Sequence, residues 1–133
     1  MGAGFQVPRR VPVENRTYHV LSTIIRSVID KTTGMPYIMI ESHFEWNDEK
    51  AAANWRNHGV TFAQAARAFG DPFAIENFDD REDYAEQRVN LIGMCEGTLL
   101  HVTYTEREAR IRIISARRAV RHEKDDYYRE NAS

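Results

Sequence analysis

Cysteine is nearly absent from the chain, because Cys95 is the only one in 133 residues. A single thiol cannot form an intrachain disulfide or a multi-thiolate zinc site. His43-Phe44-Glu45 lacks a third ligand at helical or hairpin spacing, and no His-Glu-x-x-His or Asp-x-Asp pattern occurs. We therefore expect no metal site and no cofactor, and the low cysteine content indicates a reducing, cytoplasmic location.

Long apolar segments are also absent. No run approaches the ~20 apolar residues that a membrane helix needs, and the stretch from Val20 to Ile29 is interrupted by polar residues. Arg9-Arg10 is not followed by the continuous apolar region of an export signal. A glycine-rich phosphate loop and a nucleophile elbow around Ser115 are missing as well. We expect a soluble protein with no membrane partner.

The formal net charge is only −2, but the two signs of charge are segregated along the chain. Between Arg107 and Arg121 there are six arginines and one acid, Glu108. Between Asp79 and Glu86 there are five acids and one arginine. The sequence therefore predicts a molecule with one basic and one acidic surface.

The first 42 residues differ from the rest and are interpreted as an N-terminal extension to a domain at 43–133. Apolar residues recur at helical spacing from Thr17 to Asp30, which predicts an amphipathic helix, and Thr33-Gly34-Met35-Pro36 ends it. Two interpretations stay open. Either the natural start is Met39, or the helix is native and packs against the domain or a partner.

The domain itself predicts two helices, a run of strands and a last helix. Asn47 as N-cap and Gly59 as stop bound a helix at Asp48–His58, and Thr61 with Gln64 forms a capping box for a helix at Phe62–Phe69. A short first strand precedes these helices. Apolar residues then alternate with a period of two, which predicts strands at Phe73–Asn77, Gln87–Met94, Leu99–Thr105 and Arg110–Ser115. The short segments between the last three strands predict turns at Cys95–Thr98 and Glu106–Ala109. A last helix is predicted from the side that carries Val120, Lys124, Tyr127 and Tyr128. The predicted fold class is α+β, with helices packed on a small antiparallel sheet.

Arg110 and Arg112 alternate with two isoleucines, so both arginines should lie on the sheet face opposite the core. Two guanidinium groups at this spacing match the oxygens of a phosphodiester, although a solvated strand face paired with acids explains the same pattern. His58, at a helix C-terminus, is either a cap or a phosphate ligand and general acid.

Two further pairs of residues have alternative interpretations. Glu106 and Arg107, in a predicted tight turn, can reach a groove or simply form the turn. Trp46 and Trp55 are predicted in the core rather than as base-stacking platforms.

An ordered set of short motifs gives the chain a resemblance to a known family. The set runs over about 85 residues, and its members are Phe44-Glu45-Trp46-Asn47, Lys50-Ala51, Asn54, His58-Gly59-Val60, Phe62, Asp83-Tyr84, Glu86, Arg88, Gly93, Thr105-Glu106-Arg107, Arg112-Ile113-Ile114-Ser115-Ala116-Arg117, Ala119 and Glu123. In order and spacing this set resembles the BrnT toxins of type II toxin–antitoxin pairs, whose fold is similar to that of the RelE ribonucleases.

The resemblance implies a metal-independent endoribonuclease that is silenced by a cognate BrnA-like antitoxin in a hetero-oligomer. It also implies binding to operator DNA only through that complex. The implied catalytic residues are His58, Glu106, Arg107, Arg112 and Arg117, with Lys50 as a further candidate. Arg112 and Arg117 would hold the phosphate, and Glu106 or His58 would move protons. The remaining arginines, expected to contact RNA or the partner, are Arg110, Arg118 and Arg121.

One position departs from the family pattern. Family members often carry lysine before the His-Gly pair, where this chain has Asn57, and Arg56 points about 100° away around the helix. The alternative hypothesis is therefore a catalytically weak or inactive module that acts in the antitoxin complex. A stand-alone RNA-binding protein is disfavoured because the strands lack an aromatic-rich base-stacking motif.

Overall fold

A computed structural model describes residues 40, 42–79 and 86–132 of the chain. Its elements, in chain order, are β1 (Phe44–Glu45), α1 (Asp48–His58), α2 (Phe62–Ala68), β2 (Ile75–Phe78), β3 (Val89–Cys95), β4 (Thr98–Arg107), β5 (Arg110–Arg118) and α3 (Arg121–Asn131). The predicted helix at Thr17–Asp30 lies outside the described residues. The α+β class is confirmed, and the order of elements is the predicted one.

The two first helices begin and end where local capping chemistry places them. The side chain of Asn47 accepts a hydrogen bond from the Lys50 amide at 2.9 Å, and α1 has the predicted bounds. Gly59 ends α1 in a left-handed conformation at φ 66°, with its amide donating to the carbonyl of Trp55. Thr61 and Gln64 form the predicted capping box, and α2 ends one residue before the predicted end.

The strands form one sheet in the order β1-β5-β4-β3-β2. Neighbours from β2 to β5 are antiparallel, as predicted, whereas β1 pairs with β5 in parallel. The helices, the turns and three strands separate β1 from β5, and this long connection allows the parallel pairing. Phe44 lies opposite Ile111, and Glu45 lies opposite Arg112.

Two hairpin turns are tighter than the sequence predicted. Each contains two residues, Glu96–Gly97 and Glu108–Ala109, and φ is positive at Glu96, Gly97 and Glu108. Because the turns are short, β4 extends further at both ends. Glu106 and Arg107 therefore belong to the end of β4, and their predicted place in a turn is wrong.

The sheet has helices on both faces and a separate core on each. The core under α1 and α2 contains Phe62, Phe69, Val102, Tyr104 and Ile111 among its buried residues. On the other face, which we call the α3 face, the second core consists of Ile75, Ile92, Leu99, Ala119 and Tyr127, with Met94 packed against it.

Two contacts hold the helices close to the sheet. A side chain on Gly93 would place its Cβ 2.7 Å from the Ala68 carbonyl oxygen, so α2 packs closely only over a glycine. The buried Asp71 carboxylate accepts hydrogen bonds from the Met94 amide at 2.8 Å and from the Tyr127 hydroxyl at 2.7 Å, which joins α3 to β3.

The two tryptophans behave differently. Trp46 packs against the core edge-to-face with Phe62, as predicted. Trp55 is 56% exposed on α1, so its predicted place in the core is wrong. The face that α1 turns to the sheet consists of small and amide side chains, and the buried residue of that helix is Asn54.

Candidate functional site

Arg110 and Arg112 of β5 lie on the α3 face, as the alternation predicted. Ile111 and Ile113 are 0% and 2% exposed in the helix-side core, which turns Arg110 and Arg112 to the opposite face. A β-bulge opposite the Thr103–Tyr104 step inserts one residue into β5 and shifts the alternation. Arg117 consequently pairs with His101 on the same α3 face.

Each of three candidate arginines faces a carboxylate. Arg112 Nη1 lies 3.0 Å from Glu45 Oε2, and both side chains are 27% exposed. Arg107 Nη2 lies 3.5 Å from Glu86, an acid of the predicted acidic segment. Arg117 binds Glu123 through two hydrogen bonds, from Nη1 at 2.9 Å and from Nη2 at 2.8 Å. These arginines are therefore neutralised within the chain itself.

Arg117 keeps unused donors despite its pairing. A guanidinium has five N–H donors. Two of them bind Glu123, and a third, on Nη1, donates to the carbonyl of Arg118 at 3.1 Å. The Nε–H and the second Nη2–H have no acceptor among the described residues, and both lie along one edge of the planar group. This edge can take a phosphate in a bidentate manner while the other end stays on Glu123.

Glu123 connects the end of β5 to the start of α3. Its carboxylate also accepts the Val120 amide at 2.9 Å and lies 3.7 Å from His101 Nε2, where both side chains are 11% exposed. Burial alone would raise the pKa of this carboxyl. The hydrogen bonds from Arg117 and from the Val120 amide, with the charges of His101 and Arg117, outweigh burial and hold the pKa below its ordinary value. Glu123 is therefore ionised and holds Arg117 in place.

His58 is brought to the same end of β5 by a buried amide. The side chain of Asn54 donates to the Ala116 carbonyl at 2.8 Å and accepts from the Ala116 amide at 3.1 Å. It also donates to the Val60 carbonyl at 2.9 Å, just past the end of α1. His58 follows Asn54 by one helical turn, and Arg117 follows Ala116 directly. The exposed His58 lies on α1 and Arg117 lies on β5, and the side chain of Asn54 joins these two elements.

Other candidate residues lie elsewhere. Glu106 pairs with Ile111 and therefore belongs to the helix-side face, opposite to the face of Arg112. Arg112 and Arg117 are five residues apart, roughly 16 Å along an extended strand. Lys50 is exposed in the first turn of α1, two turns from His58. The predicted set is thus divided between the two ends of β5.

The remaining predicted contact residues are more dispersed. Arg110 Nη2 donates to the carbonyl of Phe44 at 3.1 Å, which helps to hold β1 on β5. Arg118 and Arg121 are exposed at the β5–α3 junction, and neither has a carboxylate partner among the described residues. Asn57 is exposed on α1, and its side chain also has no hydrogen-bond partner in the described part of the chain.

Three residues that organise the site were not predicted from the sequence. Asn54 and Glu123 both belong to the motif set that carries the family resemblance, and that set was the available signal. Glu45 belongs to the same set, but its pairing with Arg112 joins residues 67 positions apart and has no local signature.

Two other structural observations concern the described residues alone. No group of three or more histidine, cysteine, aspartate or glutamate side chains among them is arranged to hold a metal ion. None of the helices in that part of the chain is long and apolar enough to cross a membrane.

Comparison with protein families gives one match. A family model described as the ribonuclease toxin BrnT of type II toxin–antitoxin systems matches residues 46–123, more than half of the chain. The matched segment begins just after β1 and ends at Glu123, so it contains Asn54, His58 and Arg117. A search of curated proteins finds no match.

Proposed function

Because the chain belongs to the family of BrnT ribonuclease toxins of type II toxin–antitoxin systems, we propose that it is an endoribonuclease acting at the Arg117 end of β5. A family of this kind has an antitoxin protein as partner. The proposed substrate is RNA, and the proposed consequence of its cleavage is arrested translation and growth.

The observation that supports this proposal is the contact between the end of α1, which carries His58, and the end of β5, which carries Arg117. Asn54 bonds both backbone groups of Ala116, so the helix end that presents His58 is anchored beside the strand end that presents Arg117. Arg117 offers two donors along one free edge, and its other edge is held by Glu123. RNA cleavage without a metal needs a cationic phosphate ligand and a group that can transfer a proton, and Arg117 and His58 are the candidates for these two roles.

In the proposed reaction the ribose 2′-oxygen attacks the adjacent phosphorus, and the bond from phosphorus to the 5′-oxygen breaks. The proton of the 2′-hydroxyl passes to solvent, and His58 protonates the leaving 5′-oxygen. The products are a 2′,3′-cyclic phosphate and a 5′-hydroxyl. Arg117 binds the non-bridging oxygens, whose charge rises in the transition state, so its effect is largest there.

The other candidate residues receive secondary roles. Arg112, Arg107 and Lys50 are proposed to hold RNA away from the scissile phosphate, because the length of β5 separates the two arginines from Arg117. Glu106 lies on the other sheet face from Arg112 and is the least supported of the proposed catalytic residues.

The proposed partner is a BrnA-like antitoxin. A protein that covers the basic end of β5 would block RNA, and the toxin–antitoxin complex is proposed to bind operator DNA. Arg118 and Arg121 at the β5–α3 junction have no carboxylate partner among the described residues, and they support this proposal because they could bind an acidic segment of the antitoxin.

The test is a cleavage assay with purified protein and a labelled RNA, with and without a chelator. We expect cleavage that survives the chelator and leaves 2′,3′-cyclic phosphate ends. Arg117→Ala should lower the rate about 100- to 1000-fold, and His58→Ala about 100-fold or more. Arg129→Ala, which removes an exposed arginine paired with Asp126 on α3, is the matched control and should cleave normally. Intact RNA after incubation with the unmutated protein would contradict the proposal.

The second candidate is a binding module without catalysis. Asn57 in place of the common lysine favours it, and so does the neutralisation of Arg107, Arg112 and Arg117 by carboxylates. Such a protein would bind its antitoxin and leave RNA intact, which the same cleavage assay detects.

A further inference from the structure

A small cleft lies at the β5–α3 junction, next to the proposed site in the chain. It has a volume of about 280 Å³ and opens between α3 and the β3–β4 turn. Met94 and Leu99 of the second core form its floor, and Arg118, Lys124 and Tyr128 form its rim. We call it the α3 cleft. Its size is at the lower end of the range for ligand pockets, which suits a single planar ring rather than a larger molecule.

The aromatic wall of the cleft is exposed and held in place. Tyr128 is 59% exposed. Its ring packs edge-to-face on Tyr127, with ring centroids 5.1 Å apart and an interplanar angle of 89°. Tyr127 in turn is buried, and its hydroxyl donates to Asp71 at 2.7 Å. A face of the Tyr128 ring is therefore available to solvent on a rigid support, the arrangement of an aromatic stacking platform.

The cations of the cleft have no acidic partner among the described residues, in contrast to three other arginines of the proposed site. Arg107, Arg112 and Arg117 each face a carboxylate. Arg118 and Lys124 have no carboxylate partner among the described residues, and the helix neighbours of Lys124 three and four positions away carry no acid. The residues that line the cleft include these two cations and no acid, although Glu96, Glu123 and Asp125 each adjoin a lining residue in the chain. The rim therefore carries more positive than negative charge.

The cleft adjoins the proposed cleavage site. Arg118 follows Arg117 directly, so their Cα atoms are about 3.8 Å apart. A phosphodiester bound along the free edge of Arg117 would place a neighbouring nucleotide within reach of the cleft.

We propose that the α3 cleft binds one unpaired base of single-stranded RNA next to the scissile phosphate, with Tyr128 stacking on the base and Arg118 and Lys124 binding its flanking phosphates. The inference rests on the proposed ribonuclease function and adds a subsite to it. Stacking on an aromatic ring is tolerant of base identity, so the cleft selects unpaired over paired RNA more than one base over another. An acidic protein segment would use the two cations but has no need of the exposed ring face.

The test uses a fluorescent eight-residue 2′-deoxy oligonucleotide, which lacks the attacking hydroxyl and cannot be cleaved by the proposed reaction. We expect Tyr128→Ala to weaken its binding to the full chain about tenfold without changing the dependence on salt, and Tyr128→Phe to bind like the parent. Lys124→Ala should weaken binding and lower the slope of log affinity against log salt by about 0.7, the amount for one single-strand phosphate contact.

Matched controls exist for both changes. Phe73→Ala removes an aromatic side chain that is 57% exposed and does not line the cleft, and Arg129→Ala removes a cation from the same helix. Both should bind like the parent. Thermal unfolding of every variant verifies folding, and Tyr128→Leu, which keeps apolar bulk, should weaken binding like Tyr128→Ala.

Three outcomes separate this inference from the proposed function. Parent-like oligonucleotide binding by Tyr128→Ala and Lys124→Ala would overturn the cleft proposal, whether or not Arg117→Ala abolishes cleavage. If Lys124→Ala lost affinity for a decaglutamate peptide but not for the oligonucleotide, the cleft would be a protein-binding surface, and the proposal would again fail. Binding that depends on Tyr128 in a protein that cleaves no RNA would support the cleft and contradict the nuclease.

Discussion

Arg117 and Glu123 bind each other through two parallel hydrogen bonds of 2.9 and 2.8 Å, six residues apart across the β5–α3 junction. The same carboxylate accepts the amide of Val120, so it also satisfies a donor at the start of α3. One ionised side chain therefore positions the proposed phosphate ligand and stabilises the helix that follows it.

This pair should make stability depend on pH in the acid range. Hydrogen bonds and nearby cations lower the folded-state pKa of Glu123 below its ordinary value of 4.5. The stabilisation is therefore complete above that value and is lost as the pH falls through the lower, folded-state pKa. Glu123→Gln should cost about 2 kcal/mol at neutral pH, a figure reduced for the partial exposure of Arg117. Urea unfolding of both proteins at neutral pH and at about pH 3 measures this, and a difference that does not shrink in acid would contradict it.

Asn54 should be the most sensitive position on α1. Its side-chain amide forms buried hydrogen bonds with the Val60 carbonyl and with both the carbonyl and the amide of Ala116. Asn54→Ala leaves these groups without partners, so we expect a loss of about 2–4 kcal/mol in the free energy of unfolding. Asn57→Ala changes the same residue type at an exposed position of the same helix and should shift stability by less than about 0.5 kcal/mol. Equal losses in the two variants would show that Asn54 does not act through its buried contacts.

Asn57→Lys should separate the nuclease from the binding module. Lysine at this exposed position would add a cation next to His58 in the chain. We expect the rate of RNA cleavage to rise about tenfold, which is less than the roughly 100-fold or more that one well-placed group stabilising transition-state charge contributes in other enzymes. The measurement is the cleavage rate of labelled RNA by variant and parent, with Asn57→Gln as the uncharged control of similar length. Cleavage by the lysine variant with none by the parent would favour the binding module, and equal rates would show that lysine is not needed here.

Glu45→Gln should expose a cation that the fold now neutralises. The Glu45 carboxylate lies 3.0 Å from Arg112, so its removal frees a guanidinium on the α3 face. We expect tighter binding of an uncleavable oligonucleotide and a salt slope steeper by about 0.7. Glu49→Gln removes the same charge from the first turn of α1 without freeing an arginine and should change the slope little. Weaker binding by Glu45→Gln would indicate that the ion pair instead holds Arg112 in its binding position.

Features set by neighbouring residues could be predicted from the sequence. The bounds of α1 follow from Asn47 and Gly59, and the common face of Arg110 and Arg112 follows from alternation with isoleucine. A two-residue turn pairs Glu106 with Ile111 and so puts Glu106 on the sheet face opposite to that of Arg112. This difference in face could have been predicted if the length of the turn had been known. The parallel pairing of β1 could not be predicted, because it joins segments more than 60 residues apart.

The site was predicted by residue type better than by geometry. Arginines on β5 were expected to be cationic, but their carboxylate partners come from β1, from Glu86 and from α3, and such pairings depend on the folded arrangement. Trp55 was placed in the core because of its position at the first helix, whereas α1 contacts the sheet through Asn54 and small side chains. The similarity of the fold to RelE and the role of residues 1–42 remain predictions.

The shortness of β1 has a consequence for how molecules of this protein meet one another. Within the described parts of the chain, β1 covers β5 only at Ile111 and Arg112, and no other described strand pairs with this edge of β5 beyond that point. An unpaired edge of this kind can recruit strands from other chains. At Ala116 the amide of Asn54 supplies one donor and one acceptor, the same pair that a peptide group of an adjacent strand would offer. The side chain of Asn54 thus takes the place of a neighbouring strand at Ala116, and it blocks the pairing of this edge of β5 with a strand of another molecule.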